Sequence, residues 1–138
     1  MAQDVSLKSL LVPSKTVEVE VPGFPDFNVN IAYMSRETLL NLRKKATKTS
    51  FKSGKGVQEE FNEDLFLELY VDATIKGWDG LKFKYVNLLV PVDVSQFDPE
   101  DFLAYSKENA LMLIKNSSTF DTFITEQVND LGNFSKNS

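Results

Sequence analysis

The sequence predicts an α+β fold: an N-terminal antiparallel β-hairpin packed on a small bundle of about four α-helices. Residues 16–21 and 27–33 alternate apolar and polar side chains with the period of a half-buried strand, and five turn-forming residues separate them. Beyond position 35, apolar residues recur at helical spacing in segments that open on Ser, Asn or Asp, the side chains that cap helix N-termini. The chain has 138 residues, 42% of them hydrophobic and 25% charged, enough for one core without disulfide or metal staples. This divides the chain into a flexible arm (1–14), a single α+β domain (15–134) and a polar tail (135–138).

The arm has weak periodicity, with room for one short apolar turn around Leu7, Leu10 and Leu11. Val17, Val19 and Val21 then point to one face, and Thr16, Glu18 and Glu20 to the other. Pro22, Gly23, Phe24, Pro25 and Asp26 form the turn to the second strand. A lone hairpin is marginal in water, so this one must pack on helices or pair with further strands. Ser35 caps a helix starting at Arg36, with Leu39, Leu40 and Leu42 as its apolar stripe. Residues 47–58, rich in Lys, Thr, Ser and Gly, read as a mobile loop.

Asn62 caps the next helix, whose first turn holds Glu63 and Asp64, where the helix dipole favours anions. Leu65, Phe66, Leu69 and Ala73 recur at helical spacing, and Leu67, Val71 and Ile75 widen the apolar surface. A helix apolar on most sides is expected at the centre of the core. Gly77 is expected to end it in a left-handed cap, with Trp78, Asp79, Gly80 and Leu81 as a tight turn. Residues 83–92 fit either a short strand or one or two helical turns, stopped by Pro91. Asp98, Pro99, Glu100 and Asp101 read as a helix start. Ser106 opens another helix and Ser118 a last one, with Phe120, Phe123, Ile124, Val128 and Leu131 as its stripe and Gly132 as its stop.

The chain lacks cysteine and histidine, which removes Ser-His-Asp and Cys-His nucleophilic sites, Cys/His zinc sites and an imidazole pH switch. No cofactor is expected, and no enzymatic activity. Lys52, Ser53, Gly54, Lys55 and Gly56 resemble a phosphate loop only faintly, because Thr49 stands where the first glycine belongs and no hydroxyl follows Lys55 to hold magnesium. Carboxylates pair at helical spacing (Asp64 with Glu68, Glu68 with Asp72) and cluster at Asp98, Glu100 and Asp101, but no base, oxyanion donor or liganding glycine loop accompanies them. They are read as solvated helix faces and caps. No basic, apolar leader opens the chain, and no stretch is long enough to span a membrane, so no membrane partner is expected.

Charge is segregated. Seven basic residues from Arg36 to Lys55 stand against one acid, Glu37, whereas Glu59 to Asp72 holds six acids and no base. The basic stretch (Arg43, Lys44, Lys45, Lys48, Lys52, Lys55) is a contact loop for a phosphate backbone or an acidic partner, or a solvated surface complemented by the acids. With Phe51 its only aromatic, it lacks the stacking residues of a nucleic-acid module, and nucleic acid is not the expected partner. Eleven Phe, four Tyr and one Trp exceed what a small core needs, and Trp78, Phe83, Tyr85, Phe97, Phe102 and Tyr105 crowd one stretch. They either close the core over an irregular segment or present a protein-binding patch. Trp78 is expected to fold back on the core. Tyr85 and Phe97, with Phe102, are the contact candidates, and Trp78 joins them if its turn faces outward.

Three segments together resemble the tail assembly chaperones of long-tailed, siphovirus-type bacteriophages. They are Met34-Ser35-Arg36-Glu37 with Arg43-Lys44-Lys45-Ala46-Thr47; Asn62-Glu63-Asp64-Leu65-Phe66-Leu67-Glu68-Leu69-Tyr70 running to Gly77-Trp78-Asp79-Gly80-Leu81; and Tyr105-Ser106-Lys107-Glu108-Asn109-Ala110-Leu111 with Phe120-Asp121 and Phe134. The likeness spans about residues 27–134 and consists of packing and capping signatures, so it transfers no active-site residue. The resemblance implies a non-catalytic protein that coats the tape-measure protein, keeps its apolar helices soluble and brings tail tube subunits to it. It also implies action in the host bacterial cytoplasm, absence from the mature virion, and room for self-association. The alternative from another class is a small phage nucleic-acid-binding or host-modulating protein using residues 43–55.

Overall fold

The computed structural model describes residues 4–11, 15–52, 54 and 56–130. In chain order they form α1 (Leu7–Leu10), β1 (Thr16–Glu20), β2 (Asn28–Ala32), α2 (Arg36–Lys45), β3 (Thr47–Lys52), β4 (Gly56–Phe61), α3 (Glu63–Thr74), β5 (Ile75–Asp79), α4 (Phe83–Leu89), α5 (Lys107–Asn116) and α6 (Ser118–Asn129). The expected architecture, one N-terminal hairpin on about four helices, is overturned. The chain is α+β with six helices and two antiparallel sheets among the described residues, one in the order β1-β2-β5 and one formed by β3 and β4.

The first correction lies after α3. Thr74 ends the helix, with its hydroxyl donating to the Tyr70 carbonyl at 2.7 Å, and the chain turns extended at once. Ile75 then faces Ile31, Gly77 faces Asn30, and Trp78 faces Val29, with a bulge between Asn30 and Ile31. Gly77 is therefore a strand residue, not a left-handed cap, and Trp78 is on a strand, not in a turn. The β2 strand needs a second neighbour, and the β-branched Thr74-Ile75 pair suits an extended chain better than another helical turn. The expected central helix is correspondingly less central: Val71 and Thr74 are the buried residues of α3.

The second correction is residues 47–58, which pair as an antiparallel hairpin rather than a loop, Thr47 opposite Phe61 through Lys52 opposite Gly56. Thr47, Thr49, Phe51 and Val57 are strand formers, and Gly54 supplies a positive φ of 80° for the reversal. The third is residues 98–101, which form turns and no helix: Asp98 Oδ1 accepts the Glu100 N–H at 2.9 Å, and the Asp101 N–H reaches the Asp98 carbonyl at 3.0 Å. An Asp side chain that bonds its own backbone two residues on competes with helix nucleation. Residues 83–92, open between strand and helix on sequence, contain helix α4. The expected stop at Gly132, Leu131 and the polar tail lie outside the described residues.

Three N-caps read locally, Ser35, Asn62 and Ser106, are in place, while the last helix, read as opening at Ser118, takes its cap from Ser117. Ser35, Asn62 and Ser106 accept N–H groups from Thr38, Leu65 and Asn109, and Ser117 caps α6 through Phe120. The core lies between the apolar face of the three-stranded sheet and the helices, with α6 and α3 against β2, and α5 against both α3 and α6. Val29, Ile31, Ile75, Phe27, Phe120 and Ile124 are fully buried there. Phe27 stacks on Phe120 with ring centroids 6.3 Å apart, and Trp78 meets Phe27, Tyr105 and Phe120 edge to face.

The β1–β2 turn is held from two sides. The Tyr85 hydroxyl donates to the Pro25 carbonyl at 3.0 Å. Gly80, at φ 79°, packs so tightly on the turn that a Cβ there would collide with the Asp26 carbonyl oxygen.

Candidate interaction surface

Helix α4 has no side-chain cap, and the linker to α5 does that work. The Phe83 and Lys84 N–H groups donate to the carbonyls of Asp101 (2.9 Å) and Pro99 (3.2 Å), satisfying donors that the first helical turn leaves open. Glu100 bridges Lys82 at 2.9 Å and Lys84 at 2.7 Å. Those two ammonium groups, Lys84 first, hold its carboxyl below the usual carboxylate range. Leu103 N–H reaches the Leu81 carbonyl at 2.8 Å, and the Trp78 indole N–H reaches the Leu103 carbonyl at 3.0 Å. A linker without a helix of its own is thereby fixed along one side of α4.

Beyond that strap, α4, the linker and α5 enclose a groove of about 390 Å³. Val86, Val90, Leu103 and Leu113 line it, with Val92 and Met112 exposed at its edge. Among the described residues no ionisable side chain lines it; its polar members are Asn109 and Asn116, whose amides already donate to the carbonyls of Ala104 and Met112. Leu88, 73% exposed, adds apolar surface on the outer side of α4. The groove is of a size that accepts side chains of a docked helix or a small apolar ligand.

The aromatic candidates separate into two groups. Tyr85 is only 8% exposed, donates to Pro25 and meets Phe24 edge to face, so it belongs to the scaffold rather than to a contact surface. Trp78 is half-buried in the aromatic cluster and faces inward beside Val29. Phe97 and Phe102 are exposed on the linker. Phe97 stacks on Phe83 at 4.6 Å, and Phe102 pairs with Lys82 through an isolated antiparallel bridge.

Sequence reasoning missed Leu88 and Met112. The available signal was their phase. Met112 lies off the buried stripe of Ala110, Leu113 and Ile114, and Leu88 off that of Tyr85, Val86 and Leu89. A large apolar residue out of phase with its helix's core stripe needs another neighbour.

The basic residues are distributed over α2 and the β3–β4 hairpin. Arg43, Lys44 and Lys45 occupy the last turn of α2, where cations complement the helix C-terminus. The Arg43 guanidinium sits over the Phe66 ring at 5.6 Å. Lys44 lines a hollow between α2 and the hairpin that also contains Glu37 and Glu59. Lys48 stands opposite Glu60 in the β3–β4 register. Lys52 closes β3, and Lys55 lies outside the described residues. Two of the acids are engaged in ion pairs: Asp72 with Lys107 at 2.7 Å and Asp64 with Lys115 at 3.6 Å. Among the described residues no group of three or more carboxylates is placed to hold a metal ion, and no helix is long and apolar enough to cross a membrane.

A family model described as YdaY prophage protein matches residues 24–138. No curated protein and no solved structure matches the chain. The match covers most of the sequence, so the chain belongs to the YdaY prophage protein family and is a phage-related protein.

Proposed function

From membership of a prophage family, we propose that this chain is a non-catalytic tail assembly chaperone, which binds the tape-measure protein of the same phage through apolar contacts, keeps it soluble and helps recruit tail tube protein. The observation that carries this reading is the α4–α5 groove: a neutral, apolar-lined channel with Val92 and Met112 exposed at its edge, and with Leu88 adding exposed apolar surface on the outer side of α4. A long apolar client helix needs such a receptor, since its residues spaced by three and four can enter a groove while the surrounding net charge of −5 keeps the complex in solution. The resemblance of residues 27–134 to tail assembly chaperones supports the same assignment. On this reading the protein acts in the host bacterial cytoplasm and leaves before the virion is complete.

The test is co-expression with the tape-measure protein encoded by the same prophage. The expected result is a soluble complex containing several copies of this chain per client. A client that stays insoluble, with no co-purification at micromolar concentration, contradicts the assignment. Under the same proposal, binding to duplex DNA is weak and disappears near physiological salt, as expected for dispersed lysines without stacking aromatics.

A further inference from the structure

The three-stranded sheet has two edges, and only one is covered. The Trp78 indole N–H donates to the Leu103 carbonyl at 3.0 Å and the Tyr105 hydroxyl to the Ile75 carbonyl at 3.1 Å, so the linker is tied along β5. On the other side β1 is the edge strand, and among the described residues no strand pairs with its outer side. The Val21 N–H donates to the Phe27 carbonyl at 2.9 Å and the Tyr33 N–H to the Lys15 carbonyl at 3.3 Å. Between them Val17 stands opposite Ile31 and Val19 opposite Val29. Hydrogen-bonded pairs alternate along an antiparallel ladder, so Lys15, Val17, Val19 and Val21 turn their backbone groups to β2, while Thr16, Glu18 and Glu20 turn theirs outward.

The side chains along this edge differ on its two faces. Val17 and Val19 pack against the core from β1 but are only half-buried, whereas Val29 and Ile31 beside them on β2 are fully buried. The opposite face of β1 carries Glu18 and Glu20 in solvent. Across its three strands the sheet holds three acids, Glu18, Glu20 and Asp79, and one base, Lys76, whose ammonium is committed to the Asp72 carbonyl at 2.8 Å. Glu20 accepts the Asp26 N–H at 3.2 Å, and Glu18 makes no ion pair among the described residues. A second β1 laid antiparallel about Glu18 would set that carboxylate against its own equivalent, and like charges directly opposite are destabilising.

We propose that the outer edge of β1 binds an extended strand of a partner protein in which basic and apolar side chains alternate. The basic residues lie opposite Thr16, Glu18 and Glu20 and exchange backbone hydrogen bonds with them. The apolar residues fall on the other face and complete the cover over Val17 and Val19. Directly opposed side chains share a face, so a single register satisfies the backbone groups, the charge and the burial together. This edge shares no residue with the α4–α5 groove, and the proposal does not depend on the tape-measure assignment.

The probe is a blocked peptide of alternating lysine and valine, made in two N-methylated forms and titrated by calorimetry against the intact chain. Methylation on the valine nitrogens leaves free the lysine N–H groups that face β1. This form should bind, and NMR hydrogen exchange should show the Thr16, Glu18 and Glu20 amides slowed. Methylation on the lysine nitrogens keeps every charge and side chain but removes those donors, and should weaken binding at least about tenfold. In the protein, Glu18→Pro deletes an outward N–H without touching the ladder to β2. It should weaken binding well beyond Glu18→Gln, which loses the charge but keeps the donor. The peptide pair decides the matter even if Glu18→Pro unfolds the chain. No binding of the valine-methylated form at ~1 mM overturns the proposal, as does equal binding of the two forms or binding that leaves those amides unprotected. A dimer of the chain alone that Glu18→Pro dissolves would give the edge to a second copy and overturn it as well.

Discussion

In the three-stranded sheet Val29, Ile31 and Ile75 are fully buried, whereas no described side chain of the β3–β4 hairpin is buried. Both are antiparallel, but only β1 and β2 alternate apolar and polar residues in sequence. The difference lies behind them: α6 and α3 pack on β2, while the hairpin touches its parent domain chiefly at the C-terminal end of α2. Alternation fixes which residues share a face, but stabilisation comes from the layer that covers that face. The sheet side of this molecule is scaffold, and the hairpin side is surface held out from it.

The largest expected effect tests the scaffold. Trp78→Ala removes an indole that contacts Phe27, Tyr105 and Phe120 and a hydrogen bond to Leu103, and should cost about 3–5 kcal/mol in urea unfolding. A midpoint close to wild type would place Trp78 outside the core. Next comes Gly80→Ala, which combines a positive φ with a collision at the Asp26 carbonyl and should destabilise by more than ~1 kcal/mol. If urea melts find it neutral, the β1–β2 turn is not locked against residue 80.

Smaller effects belong to the surface. Hydrogen bonding to Lys107 holds the Asp72 carboxyl below the ordinary Asp value, as Lys84 and Lys82 do for Glu100. Groups with depressed folded values contribute stability that is present above their unfolded values and lost as pH falls through the folded ones. Unfolding midpoints should therefore be flat from about pH 5 to 8, with no histidine to titrate, and decline shallowly below about pH 4. Asp72→Asn with Glu100→Gln should make that acid decline shallower still, and an unchanged slope would show the bridges to be idle. The smallest effect is Phe51→Ala, expected within ~0.5 kcal/mol of wild type, since its ring is largely in solvent. A larger loss measured on dilute, monomeric protein would place Phe51 in its own chain's core.

What was legible in the sequence was local. The alternation of β1 and β2 specified their pairing, and Ser35, Asn62 and Ser106 announced their helices because a cap needs only its own next three residues. The third strand was not legible. Ile75 continues the helical spacing of Leu67 and Val71, Gly77 looks like a C-cap, and only the distant β2 partner draws residues 75–79 into extended form. Asp98 and Pro99 mimic a helix start, yet the linker's carbonyls are committed to the N-terminus of α4. At the candidate site, residue type pointed to aromatics, but burial separated them: Tyr85 turned inward to Pro25, while Leu88 and Met112 stayed exposed.

The central claim is that the exposed apolar surface of α4 and α5 binds a client without contributing to folding. The measurement that tests it most directly is the affinity of the variant Leu88→Asp/Met112→Asp for the cognate tape-measure protein, taken beside its urea midpoint. The account predicts a midpoint within ~1 kcal/mol of wild type and binding weakened at least tenfold, about 1.4 kcal/mol. A variant that folds normally and binds the client as tightly as wild type would contradict it.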